Sequence, residues 1–180
     1  NTAVGYSALS QCTTGVNNVA VGYNALESVT TSQYNVAVGQ SAGSEIIGGN
    51  GQNTIVGREA MRKATTSAYN VCIGHEAMYE STTAEGNTAV GRRAMGYSAA
   101  SSITTGSRNT IVGYGAGAIT TADHCVSIGN QAGGGNQTSH DLLYIARSNT
   151  ERGNAATWIK GEANGAVYQG NNSSAWSTVS

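Results

Sequence analysis

Asn18-Val19-Ala20-Val21-Gly22-Tyr23-Asn24-Ala25-Leu26 decides the fold, because the same stretch keeps returning. The five-residue slot that opens it recurs at Asn1–Gly5, Asn35–Gly39, Asn53–Gly57, Asn70–Gly74, Asn87–Gly91 and Asn109–Gly113, with a degenerate eighth copy at Cys125–Gly129. The closing glycines are spaced 17, 17, 18, 17, 17, 22 and 16 residues apart. Three residues after each glycine stands an alanine: Ala8, Ala25, Ala42, Ala60, Ala77, Ala94, Ala116 and Ala132. A fixed period near this length marks a solenoid, in which each repeat is too small to bury its own apolar face and must stack on its neighbours.

Each slot has a physical reading. The residue before the glycine is always Val or Ile, and Thr or Val stands two earlier. β-Branched side chains favour a pleated strand, and period 2 puts these two positions on one face. That face is expected to line the interior of the coil. The residue between them (Ala3, Ala20, Ala37, Ile55, Cys72, Ala89, Ile111, Ser127) then points outward. No Asp, Glu, Lys or Arg occurs in any slot, so both faces avoid charge. Strands apolar on both faces are covered on both. One chain covers only one, which predicts a partner, most simply another copy. The glycine marks a turn with positive φ or close backbone approach. After it, apolar spacing fits a short helical turn or a second short strand equally well. Charges gather in this half (Arg58, Glu59, Arg62, Lys63, Glu76, Arg92, Arg93), which is expected to face water. The recurring Asn is expected to stack as an amide ladder, the plainer reading being a simple turn residue. The long interval from Met95 to Thr105 reads as an outer loop.

Composition agrees. The 180-residue chain has 25 Gly, no Pro, no Phe and only 11% charged residues. Small side chains in a regular lattice must replace a core of large ones. A net charge of −1 does not suit nucleic-acid binding, which needs clustered Lys and Arg. No apolar run approaches the ~18 residues of a membrane span, so membrane insertion is not expected. Cys12, Cys72 and Cys125 are odd in number and irregular in spacing, indicating neither a disulfide framework nor a zinc site. The chain begins at Asn1 without Met and reads as a fragment or processed piece.

The repeat stops near Gly135, where Gly133-Gly134-Gly135-Asn136 makes a break. Two units follow: an eight-coil solenoid over 1–135, and a C-terminal β segment over 136–180 with strand-like runs at Leu142–Ala146, Thr157–Lys160 and Ala166–Gln169. The runs Leu143-Tyr144-Ile145-Ala146-Arg147-Ser148-Asn149, Ala156-Thr157-Trp158-Ile159 and Gln169-Gly170-Asn171-Asn172-Ser173-Ser174-Ala175-Trp176-Ser177 resemble the segment of phage tail fibres and spikes just upstream of an endosialidase-type intramolecular chaperone. The N-T-A-V-G repeats resemble stretches ahead of that chaperone. More distantly they resemble the left-handed β-roll heads of trimeric autotransporter adhesins. In the tail-fibre family the chaperone templates a trimer and then cleaves itself off at a Ser–Asp bond. The resemblance therefore implies a homotrimer and makes Ser180 a candidate processing terminus, a chosen boundary being the other reading. The chaperone itself is absent, so none of its catalytic residues carries over.

The expected architecture is thus a mainly β, parallel β-roll solenoid. Each coil has one strand plus a turn or short helix, the assembly is homotrimeric, and a small β segment ends it. The expected role is a structural tail-fibre segment of a virion, outside the cell, contributing to host attachment through a bacterial surface glycan or protein receptor. The head of a trimeric cell-surface adhesin is the alternative, and a polysaccharide-degrading spike a lesser one. No cofactor or metal is expected. The acids fall in solvent-facing slots rather than as a pair flanking a sugar bond, and no nucleophile elbow surrounds a serine, so the chain does not read as an enzyme. Tyr79, Arg92, Arg93, Tyr97 and Tyr114 form the candidate glycan-contact surface, where rings stack on sugars; scattered surface tyrosines are the plainer reading. The Thr pairs read as turn-lining hydrogen bonds rather than an ice-matching array.

Overall fold

The computed structural model of the chain describes residues 1–96, 105–117, 121–133 and 140–146, together with the strands Thr157–Gly161, Val167–Gly170 and Trp176–Thr178. It is mainly β, with no helix among the described residues. The repeat slots form eight three-residue strands: β1 (Thr2–Val4), β2 (Val19–Val21), β3 (Val36–Val38), β4 (Thr54–Val56), β5 (Val71–Ile73), β6 (Thr88–Val90), β7 (Thr110–Val112) and β8 (Val126–Ile128). Each pairs in parallel with the next, slot against slot: Ala3 lies beside Ala20, Ala37 beside Ile55, Cys72 beside Ala89. The chain is therefore a parallel β-solenoid, with seven turns from β1 to β8. β9 (Leu143–Ala146) adds to β8 in parallel; β10 (Thr157–Gly161), β11 (Val167–Gly170) and β12 (Trp176–Thr178) follow in antiparallel pairing.

The side opposite the sheet is neither a helical turn nor a strand. It is a stack of turns whose backbones bond coil to coil. Leu9 N–H donates to the Ala25 carbonyl at 3.1 Å, Leu26 to Ala42 at 3.0 Å and Met78 to Ala94 at 3.0 Å. Two residues per turn take positive φ, and in five of the coils neither is glycine, as at Asn24 (55°) and Leu26 (49°), or Glu76 (57°) and Met78 (51°). Such angles cost an L-residue roughly 1–2 kcal/mol each. Burial of the second residue and the inter-coil bonds hold them.

The Asn ladder forms as expected. From Asn18 to Asn87, each buried Asn side-chain oxygen accepts two bonds from the coil above. Asn35 Oδ1 takes Asn53 N–H at 3.2 Å and Asn53 Nδ2 at 2.9 Å, and Asn53 Oδ1 takes Asn70 N–H at 3.0 Å and Asn70 Nδ2 at 3.1 Å. The pattern continues through Asn87 to Asn109, whose Oδ1 receives the Cys125 N–H at 2.8 Å. Three of the paired threonines line the turn: the Thr13 and Thr30 hydroxyls each donate to a carbonyl of the next coil at 3.0 Å, and the Thr65 hydroxyl does so at 3.2 Å. The interval Met95–Thr105 lies mostly outside the described residues.

The facing of the strands is opposite to the sequence expectation. The middle residue of the slot points inward: Ala20, Ala37, Ile55, Cys72, Ala89 and Ile111 are fully buried. The Val, Ile and Thr on either side point out, and β3, β4 and β7 alternate exposed, buried, exposed. The interior is shallow, and the turn side already supplies large side chains to it: Leu26, Met61, Met78 and Met95, all buried. Ile111 faces a glycine in its own turn, and Ile55 packs over a glycine of the preceding coil. A Cβ on Gly117 would fall 2.6 Å from Ile111 Cδ1, and one on Gly43 2.9 Å from Ile55 Cδ1. Cys72 sits between Met61 and Met78 sulfurs at 3.6 and 3.1 Å, and burial pushes its thiol far above the ordinary value.

Glycine closes the strand for two reasons at once. Gly22 has φ +138°, and a Cβ there would stand 2.5 Å from the Gly39 carbonyl oxygen. The same relation repeats up the column, so stacking at this corner tolerates no side chain.

Candidate functional site: an exposed sheet face and its two rims

The inverted facing leaves sixteen outward positions on β1 to β8, every one Val, Ile or Thr. They form two columns. Val4, Val21, Val38, Val56, Ile73, Val90, Val112 and Ile128 make the uniformly aliphatic one, in which Ile73 and Ile128 are each 40% exposed. Thr2, Thr54, Thr88 and Thr110 share the other with four valines. None of the strands β1 to β8 carries a charge to break the patch.

Two rims bound this face. On the glycine side run Tyr6, Tyr23, Gln40, Arg58, His75, Arg92, Tyr114 and Asn130, each directly after its corner glycine. Tyr6 and Tyr23 stack with centroids 5.4 Å apart and planes 11° from parallel. Arg92 lies over the Tyr114 ring at 5.4 Å and donates to its hydroxyl at 3.1 Å, with Nε 3.4 Å from His75 Nδ1. On the asparagine side stand Tyr34, Gln52, Tyr69, Arg108, His124 and Asp141, all with positive φ.

Of the candidate glycan-contact residues, the structure brings Arg92 and Tyr114 together on the glycine-side rim. Tyr79 sits on the turn side instead, under Arg62 and Lys63 at 5.9 and 5.2 Å. Arg93 is engaged by Glu76 within the chain, which holds the Glu76 carboxyl below its usual range. Tyr97 and Ser180 lie outside the described residues. The charged half does face water, and its charges pair across coils, as in Lys63–Glu80 at 2.8 Å. That pairing raises the Lys63 ammonium above its ordinary value.

Glu59, His75 and Glu76 bring three ligand-type atoms within 4.8 Å of one another. The donors do not suit a cation. Arg58 already holds Glu59 at 2.9 Å, Arg93 holds Glu76, and Arg92 adjoins His75. Three guanidiniums would surround a bound metal, and the cluster reads as a salt-bridge network. Sequence reasoning missed the sheet face as a surface, because it placed these valines inside. The signal was present in the complementary sizes of Ile111 and Gly117, six residues apart in one coil.

No known protein family, curated protein or solved structure matches the chain.

Proposed function

We propose that the chain is a segment of a homotrimeric fibre of the phage tail type, a structural rod outside the cell that contributes to host-surface attachment. The carrying observation is the sheet face. Sixteen uncharged β-branched side chains in strict register, exposed or half-buried in a single chain, make one continuous strip of the kind that marks an interaction surface. A solenoid supplies length by repetition and presents the same face at every coil. Three such faces turned toward a common axis cover one another and leave the charged turn sides outward. The C-terminal segment, resembling tail-fibre sequence, would close that assembly.

Light scattering on the purified chain tests the assembly. A mass near three times 18.3 kDa is expected, and a stable monomer overturns it. Immunogold electron microscopy tests the setting. Antibody against the chain is expected to label projecting fibres of virions; label confined to cell surfaces would transfer the chain to the adhesins.

A further inference from the structure

We propose that neighbouring copies close their contact through unlike rims, with Tyr34 and Tyr69 of one copy covering Gln40 and His75 of the next, and Arg108 reaching Tyr114. The inference rests on the homotrimer reading and adds which side chains seal it.

Area is the first argument. Eight strands at ~4.8 Å spacing and three residues in width make a strip of about 34 by 10 Å, roughly 340 Å² in projection. A stable interface needs about 800 Å² per partner, and in a trimer the strip is shared between two neighbours. The aliphatic columns alone therefore fall short, and the contact must extend over the rims. Those rims carry the aromatic surface it needs: Tyr34 is 54% exposed, Tyr69 43% and Tyr114 42%.

Symmetry is the second argument. Rotation about an axis parallel to the stack keeps every coil at its own height. It always sets the asparagine-side rim of one copy beside the glycine-side rim of the next. Tyr34 and Gln40 both flank β3, Tyr69 and His75 both flank β5, and Arg108 and Tyr114 both flank β7. The pairs are chemically compatible: ring on amide, ring on imidazole, and guanidinium on ring. No coil from β2 to β8 sets like charge against like charge across the rims.

A disulfide tests this directly. Asn70 and Gly74 bracket β5 and are held about 13 Å apart by the extended strand. Tyr69 and His75, outside that bracket, are beyond the ~7 Å Cα reach of a disulfide within one chain. The double variant Tyr69→Cys/His75→Cys, in a Cys12→Ser background of the full chain, is oxidised and run on a denaturing, non-reducing gel. A covalently closed trimer is expected, with each single variant running as a monomer. Tyr34→Cys/Gln40→Cys is the independent second pair, expected to give the same product. Dimers from Tyr69→Cys alone would mean that like rims meet, and overturn the inference. So would failure of both pairs to cross-link while light scattering still reports a trimer, an outcome that leaves the homotrimer reading standing. A monomer by light scattering removes both.

Discussion

Ile73 and Lys63 sit on opposite sides of neighbouring coils. Ile73 points from the sheet with 40% of its surface open and no charged residue in its strand. Lys63 points from the turn stack and is already paired with Glu80 one coil above. The turn side is largely self-sufficient. Its cations find acids or rings within the chain, and the Thr13, Thr30 and Thr65 hydroxyls find carbonyls of the next coil, while the buried Ser81 hydroxyl and Asn24 amide oxygen have no partner among the described residues. The sheet side pairs its backbone coil to coil and leaves its outward Val, Ile and Thr side chains without cover. A solenoid can thus finish its backbone pairing alone and still be incomplete as a surface. Stability and association are consequently carried by different residues.

The largest effect should come from the corner that joins the two sides. Gly57 has φ +137°, and a Cβ there would lie 2.5 Å from the Gly74 carbonyl oxygen. Gly57→Ala is expected to cost at least ~3 kcal/mol or prevent folding, by combined strain and backbone clash. Gly86→Ala, at φ +69° with nothing nearer than Arg108 Cγ at 3.6 Å, is expected to cost about 1 kcal/mol. Urea titration of both variants measures the gap; equal losses would mean the corner is not special.

Next is the ladder. Asn53→Ala removes the acceptor of the Asn70 N–H and the amide that donates to Asn35 Oδ1 and the Ser67 carbonyl, with an expected loss of about 2–4 kcal/mol. A loss under about 1 kcal/mol in the same titration would reduce the ladder to decoration.

Ile73→Lys separates the two sides most cleanly. It is expected to reduce the assembly to monomer while changing the unfolding free energy of the free chain by less than about 1 kcal/mol. Gln11→Lys, an exposed position on the turn side, is expected to leave the scattering mass unchanged. If both lysines dissociate the assembly, or neither does, association does not belong to the sheet side.

The smallest effect is a pH dependence confined to the turn side. Arg93 lowers the Glu76 carboxyl in the folded chain. Its contribution is therefore fully present above the unfolded carboxyl value of about 4.3 and fades as pH falls through and below it. Arg93→Gln should flatten the stability loss between about pH 5 and pH 3. An unchanged slope, read from urea midpoints across that range, would assign the pH sensitivity to other acids.

Much of this was legible in the residues. The period, the slot, the corner glycines and the Asn ladder all follow from spacing and from what Gly and Asn do uniquely. The parity of the strand did not. In Asn18–Gly22 both faces are uncharged, and the rule that bulky β-branched residues go inside points the wrong way. The turn side had already filled the interior with Leu26, Met61, Met78 and Met95. Nor was the turn conformation legible, since Leu26 and Met78 give no local sign of positive φ. The candidate surface was half legible. Arg92 and Tyr114 were found as residues, but their rim had meaning only once the valines beside them faced outward.

The uniformity of the aliphatic column has a cost in alignment. Val38, Val56, Ile73, Val90 and Val112 follow one another at a constant rise with nearly constant shape. Two rods that slide past each other by one coil place isopropyl and sec-butyl groups back on their like and lose little. Misaligned bundles are then close in energy to the true one, and slow to correct because every contact must part together. Correct phasing has to come from whatever occurs once along the rod. One such mark is visible: a slip of one coil in one sense brings Arg92 beside β6 against Arg108 beside β7.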